Sequence, residues 1–281
     1  MNEAVQFHSQ IASGWESNYA SDVFSVRMKV LSELLADRDL AGQKWLDAGC
    51  GTGTLARFLA ERKGCKVLGV DASEEMISRC APAANTKFRQ IRDICETGLA
   101  DETFDGVLCS STLEYVPDPL AALRELRRVL RPKGLLLVSV PNAHPIARWP
   151  VLAIYRLTKH FGRRRWFEYL DHSKHCFSKS RFRALLDSCG FRADAMRTWG
   201  GVHGPSPILG HGTLLMFRAV AVDGYEFSGS FPISSPPLQR PPNGVGTSIH
   251  CDRQGLSEAG SSLSTSKLDC PKAPRTRTDG I

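Results

Sequence analysis

Residues 45–56 read "WLDAGCGTGTLA": three alternating glycines, Gly49, Gly51 and Gly53, stand directly behind an apolar run that ends in Asp47. A strand-like run, a turn of the kind glycine makes without strain, and the helical pattern of "TLARFLAERKG" read as the first strand, loop and helix of an open α/β sheet. In such a loop the backbone N–H groups approach a ligand closely, at the crevice where the strand order reverses. A dinucleotide would set its pyrophosphate on the helix N-terminus, and "GTGTLA" at 51–56 satisfies the G-x-G-x-x-A form of that motif. Asp47 points the other way. A carboxylate beside the glycines repels a pyrophosphate but suits a cationic amino-acid ligand with a sulfonium and an α-ammonium group.

Outward from the loop, strand and helix alternate from about residue 44 to 140. The strands are "KWLDA", "KVLGVD", "KFRQI", "FDGVLCS" and "GLLLVSV", and the helices run through "TLARFLAERKG", "EEMISRCA" and "PLAALRELRRVL". That alternation predicts an α/β fold with a doubly wound, mostly parallel sheet and helices on both faces. Gly64 and the stretch Arg131, Pro132, Lys133, Gly134 mark helix ends. Residues 1–40 read as an N-terminal helical cap of two helices, the second carrying Val23, Phe24, Val26, Leu31 and Leu34. A helix through "FSKSRFRALLDSCGF" ends at Gly190, and "FRADAMRTW" and "TLLMFRAVAV" bring the sheet to seven strands. One domain over 1–223 is expected. Residues 224–281 turn to Ser, Pro and Gly with few large aliphatics, the composition of a disordered tail.

With 281 residues, 42% of them hydrophobic, the chain can bury a sizeable core. No apolar run approaches the roughly 20 residues of a membrane span. The polar start "MNEAVQFHSQ" has no signal-peptide pattern, which points to a cytoplasmic protein. Nine cysteines without a CxxC pair indicate neither a disulfide framework nor a zinc site, and no metal is expected. The net charge of +7 collects in "RELRRVLRPK" (124–133) and "RLTKHFGRRRW" (156–166), with no RRM signature and no helix-turn-helix. The stretch "CSSTLEYVPDP" also lacks the N-P-P-[YF] type of motif that stacks on a flipped base. Nucleic acid is therefore not the expected partner.

Asp71, 18 residues after Gly53, ends "VLGVD" where a carboxylate can accept from both ribose hydroxyls, a feature either ligand class shares. Asp93 in "RDI" follows the third strand and suits an adenine amino group, with Ile94 beside the ring. At "LDAGCGTG" (46–53), "VLGVDASEEMI" (67–77), "RDI" (92–94), "FDGVLCSSTLEYVPDP" (104–119) and "RVLRPKGLLLVSVPN" (128–142) the chain resembles the class I S-adenosylmethionine-dependent methyltransferases. It is most similar to the type 11 group, which includes the ubiquinone and menaquinone methyltransferases. The resemblance implies S-adenosyl-L-methionine as cofactor, with Asp47, Gly49, Gly51 and Gly53 along its methionine half. It implies Asp71 at the ribose, with Ala72 and Met76 in the same binding stretch, Asp93 and Ile94 at the adenine, and Ser110 under the sulfonium. It further matches Trp15 and Tyr19 of "GWESNY" to an aromatic pair, and Arg27 to a cofactor-carboxylate ligand. One departure is Glu114-Tyr115-Val116, where many relatives carry "EHV".

Methyl transfer from a sulfonium is an in-line displacement, so the protein mainly aligns the reactants and excludes water. An oxygen nucleophile also calls for a base near neutrality. His144 in "PNAHP", His175 in "DHSKHCFS" and Tyr115 beyond the fourth strand are the candidates, with Glu114 orienting the loop. The insertion 142–175 is expected to form the substrate lid. Its amphipathic core, 145–170, with Trp149, Tyr155 and the run Arg163, Arg164, Arg165, leaves three readings open: a lid over an apolar or aromatic substrate, a peripheral contact with anionic lipid, or plain packing. The expected activity is methylation of a small-molecule acceptor at oxygen. Transfer to carbon or nitrogen, a cofactor-binding module without turnover, and an NAD-dependent oxidoreductase are the alternatives.

Overall fold

Side chains alternate between the two faces of a strand, and here both sets are apolar. In chain order the elements are α1 (Glu3–Ile11), a 3-10 turn (Ala12–Gly14), α2 (Asp22–Leu34), β1 (Lys44–Ala48), α3 (Thr54–Lys63), β2 (Lys66–Asp71), α4 (Glu74–Ile77) and β3 (Thr86–Gln90). They continue as β4 (Phe104–Ser110), α5 (Pro119–Val129), β5 (Leu130–Pro141), α6 (Tyr169–His172), α7 (Lys179–Asp187), β6 (Phe191–Trp199) and β7 (Leu214–Ala221). The computed structural model describes residues 3–15, 22–144, 153, 169–199 and 213–225. All of them fall in the unit Met1–Pro241.

Leu46, Ala48, Val107, Cys109, Leu136 and Val138 face a core closed by Leu123 and Leu126 of α5 and by Phe182 and Leu186 of α7. Their neighbours Trp45, Leu108 and Leu137 face a second core, closed by Leu31 and Leu34 of α2 and Leu55 and Leu59 of α3. A sheet apolar on both faces needs helices on both, which is the doubly wound arrangement the alternation predicts. The seven strands are ordered β3-β2-β1-β4-β5-β7-β6. Neighbours pair in parallel from β3 through β5. Only β7 is reversed, antiparallel to both β5 and β6. Strand order therefore switches at β1 and β4, and the crevice above their carboxyl ends is where such sheets bind ligands.

Two boundaries differ from the sequence expectation. Helix α4 covers four residues rather than the whole of "EEMISRCA"; beyond Ile77 the bonds tighten to i→i−3, Arg79 N–H to the Met76 carbonyl and Cys80 N–H to the Ile77 carbonyl. The stretch Arg131–Gly134 does follow the end of α5 at Val129, but it lies within a strand rather than ahead of one. Strand β5 begins at Leu130, directly after the helix, with Lys133 at φ 64° and a shift in register against β4 between Phe104 and Gly106. Helix α3 does stop at Gly64, left-handed at φ 70°. At the far edge, Arg218 of β7 bonds Asp194, Asp37 and the Leu34 carbonyl, fastening α2 to the sheet. Tyr225 donates its hydroxyl to the Ser188 carbonyl at 2.7 Å.

Candidate active site

The glycine loop joins β1 to α3. Gly49, Gly51 and Gly53 all take positive φ, 78°, 54° and 77°, a region L side chains rarely adopt. Four of the loop's donors are committed within the protein. Gly49 and Cys50 N–H both donate to the Val70 carbonyl, at 2.8 and 3.0 Å. Gly53 N–H donates to the Cys50 carbonyl at 2.9 Å, and Gly51 N–H to Asp71 Oδ2 at 2.9 Å. A pyrophosphate here would meet two carboxylates, Asp47 and Asp71, so the loop suits a cationic ligand better than a dinucleotide.

Asp47 lies beneath the loop at the end of β1, only 2% exposed, and its Oδ2 has no hydrogen-bond partner among the described residues. Burial first, then the nearby charge of Asp71, pushes its carboxyl up to about 7, against a smaller opposing bond from the Ala56 backbone. A buried anion with an unfilled acceptor is a ready partner for a cation, and the α-ammonium of S-adenosylmethionine fits it.

Beside it, Asp71 accepts from Gly51 N–H and, through Oδ1, from Ser73 N–H at 2.9 Å. The carboxylate thus ties the glycine loop to the β2–α4 turn while remaining partly exposed. Ala72 accepts from Gln90 Nε2, and Met76 is buried with its N–H on the Ser73 hydroxyl. Farther out, Asp93 caps its own turn, accepting from Cys95 N–H at 2.9 Å. Ile94 is 6% exposed and packs into the core shared with α5 and α7.

At the carboxyl ends of β4 and β5 lies a polar cluster. Ser110 and Ser139 share a hydrogen bond at 3.2 Å, Ser111 N–H donates to Ser139 Oγ, and Arg27 from α2 donates to Ser110 Oγ at 3.4 Å and Ser111 Oγ at 3.0 Å. The Arg27 guanidinium also lies over the Trp199 and Phe24 rings. Glu114 is 3% exposed, and its Oε2 has no partner among the described residues. Burial raises its carboxyl to about 7, with its own backbone N–H and Arg27 pulling in the opposite direction.

The sequence candidates for a base differ in their partners. His175 Nε2–H donates to the Val116 carbonyl at 2.9 Å, which fixes the ring against the loop after β4. Burial holds this imidazole below its ordinary value, and the carbonyl bond opposes that. His144 follows β5, its backbone N–H bonded to Asn142 Oδ1. Tyr115 meets the ring of His8 edge-on at 4.7 Å. Tyr19 lies outside the described residues, as does nearly all of 145–168. Among the described residues no group of three or more His, Cys, Asp or Glu side chains could hold a metal, and no helix is long and apolar enough to cross a membrane.

One residue at the crevice escaped the sequence reading. His8 of α1 packs against Tyr115 and, at 5.7 Å, against Trp15. Trp15 in turn reaches the loop: its Nε1 lies 3.8 Å from where a Cβ on Gly51 would stand. The signal was present, since Ala4 and Phe7 of α1 are buried at helical spacing and His8 adjoins that face.

A family model described as a methyltransferase domain matches residues 19–195. The ubiquinone biosynthesis O-methyltransferase of Pseudomonas fluorescens strain Pf0-1 is 34% identical over 131 residues, which cover 45% of this chain and 55% of that protein. Its counterpart in Neisseria meningitidis serogroup A is 30% identical over 147 residues, covering 49% and 61%. The chain thus spans about half the length of the curated relatives it matches. Among solved structures, an S-adenosylmethionine-dependent methyltransferase from Mesorhizobium loti superposes with a TM-score of 0.53 at 20% identity, covering 68% of this chain and 96% of that one. Likeness at that identity speaks for the fold alone.

Proposed function

The chain belongs to the class I S-adenosylmethionine-dependent methyltransferases, and from that premise we propose that it methylates an oxygen of a small phenol-like or quinol-like acceptor. The observation that carries the cofactor half is the buried Asp47 carboxylate, its Oδ2 unfilled among the described residues, beneath a glycine loop four of whose donors are already used. Bound S-adenosylmethionine supplies a methyl group on a sulfonium, a leaving group already activated by its charge. Asp47 and the glycine loop hold the methionine end. Asp71 accepts from the ribose, in a stretch that includes Ala72 and Met76, and Asp93 with Ile94 serves the adenine. Arg27 neutralises a carboxylate at the Ser110 side, and the same reading assigns Tyr19 to the cofactor.

The oxygen acceptor draws on the ubiquinone biosynthesis O-methyltransferases to which the chain is similar, and on Glu114. A carboxylate whose proton affinity sits near neutrality takes a proton from an acceptor hydroxyl efficiently. Beside the Arg27, Ser110, Ser111 and Ser139 cluster, Glu114 fills that role with its unfilled Oε2, while His175, its Nε2–H on the Val116 carbonyl, keeps its lone pair at a buried Nδ1. His175 and Tyr115 shape the loop after β4, and His144 lines the approach beyond β5. The test is incubation with methyl-labelled S-adenosylmethionine and a panel of catechols and quinols, followed by mass spectrometry. A methyl ether with equimolar S-adenosylhomocysteine supports the proposal; label on carbon or nitrogen, or no product from any acceptor, defeats it.

A further inference from the structure

Helix α1 holds one histidine across the mouth of the crevice. His8 Nδ1–H donates to the Ala4 carbonyl one turn back, at 2.7 Å. A ring nitrogen bonded to a carbonyl must carry the proton, so the neutral ring presents its lone pair at Nε2. The ring lies between Trp15, which reaches the glycine loop, and Tyr115, which follows β4. The next residue, Ser9, bonds its hydroxyl to that of Ser73 at 2.9 Å, and Ser73 N–H is bonded to Asp71. His8 is thereby fixed above the glycine loop, between the Asp71 turn and the loop after β4. Burial keeps the imidazole below its ordinary value, so it is neutral near pH 7, while the Ala4 carbonyl and the Asp71 charge pull upward and His172 pulls downward.

We infer that His8 faces the sulfonium end of the bound cofactor and, as a neutral ring, leaves that place open to the positive charge of the methylated form, an inference that rests on the cofactor assignment above. S-adenosylmethionine and S-adenosylhomocysteine differ by one methyl group and one positive charge. A neutral imidazole lone pair tolerates that charge, whereas a fixed cation at the same place repels it and leaves the neutral thioether of the product little affected. The other charged or titratable groups around His8 are Asp71 at the end of β2 and His172 on α6, Tyr115 after β4, and Glu75 on α4, which bonds Ser9 and Ser73. These groups are the same in every variant, so the change in the ratio of the two affinities from wild type isolates position 8.

The experiment is isothermal calorimetry of the full chain with each molecule in turn, at about pH 8, for the wild type and for His8→Lys, His8→Gln and Gln10→Lys. Gln10 is exposed on the same helix and controls for charge at a distance. His8→Lys should raise the Kd of S-adenosylmethionine relative to that of S-adenosylhomocysteine by about tenfold or more. His8→Gln, neutral like the native ring, and Gln10→Lys should each leave the ratio within about twofold. A His8→Lys ratio equal to that of the wild type overturns the inference. So does the same shift from Gln10→Lys. Wild-type protein that binds neither molecule instead removes the cofactor assignment itself.

Discussion

Replacing Asp47 with Asn tests the reason a carboxylate stands at the entrance of the glycine loop. In the folded protein its carboxyl is raised from 3.8 to about 7, by burial first and by Asp71 second. A carboxyl whose folded-state pKa exceeds its unfolded value keeps a proton in the native state that the unfolded chain has released. Native stability therefore declines as pH rises between those values and levels off above about 7. From about pH 5.5 to about pH 8.5 the wild type crosses roughly one and a half pK units of that window, which costs about 2 kcal/mol. Asn has nearly the same shape and does not titrate. The stability of Asp47→Asn relative to wild type should therefore grow by about 2 kcal/mol over the interval, a Tm gain of roughly 4–8 °C for a domain of this size. Taking the difference between variants cancels groups present in both, Glu114 among them. The assay is thermal unfolding of the ligand-free protein at both pH values. A stability difference that stays constant with pH, or shrinks as pH rises, would refute the reasoning.

Three further outcomes are expected. Asp71→Ala removes the acceptor shared by Gly51 and Ser73 N–H as well as the proposed ribose acceptor. It should weaken S-adenosylhomocysteine binding by about 1–3 kcal/mol in calorimetry and lower the Tm; a lowered Tm with unchanged affinity would separate the structural role from the ribose role and defeat the latter. Gly53→Ala places a Cβ 2.5 Å from the Phe88 ring at a φ of 77°, so it should destabilise the fold by about 1–3 kcal/mol in urea titration, and a neutral result would mean the loop adopts another conformation. Asp118→Ala strips the N-cap that accepts from Leu120 and Ala121 N–H and should cost about 1 kcal/mol without altering cofactor affinity.

The fold was legible because strand and helix alternate with unambiguous periods. "KVLGVD" and "FDGVLCS" are apolar on both alternations, which only a sheet covered on both faces tolerates. Gly64 and Gly190 sit at positive φ where helices α3 and α7 end. The sequence overextended α4 because "ISRCA" has no breaker before Pro82, and it started the fifth strand at Gly134, whereas the strand begins at Leu130, directly after α5. At the crevice, the carboxylates Asp47 and Asp71 were legible from their spacing to the glycines. Their energetics were not, since the unfilled oxygen of Asp47 and the two N–H groups on Asp71 depend on β2 lying beside β1. His8 was missed for a similar reason: its partners Tyr115 and Trp15 come from separate segments, and nothing in "QFHSQ" announces them. Glu114 was read as a loop residue because burial, which gives it a proton affinity near neutrality, is not written in its neighbours.

The central claim is that the glycine loop and its two carboxylates hold S-adenosylmethionine and not a dinucleotide. Calorimetric titration of the full chain with S-adenosylhomocysteine and, in parallel, with NAD tests it most directly. Micromolar binding of S-adenosylhomocysteine that tightens as pH rises through about 7, as Asp47 ionises, together with no heat from NAD, is the predicted result. Binding of NAD with none of S-adenosylhomocysteine would contradict the account.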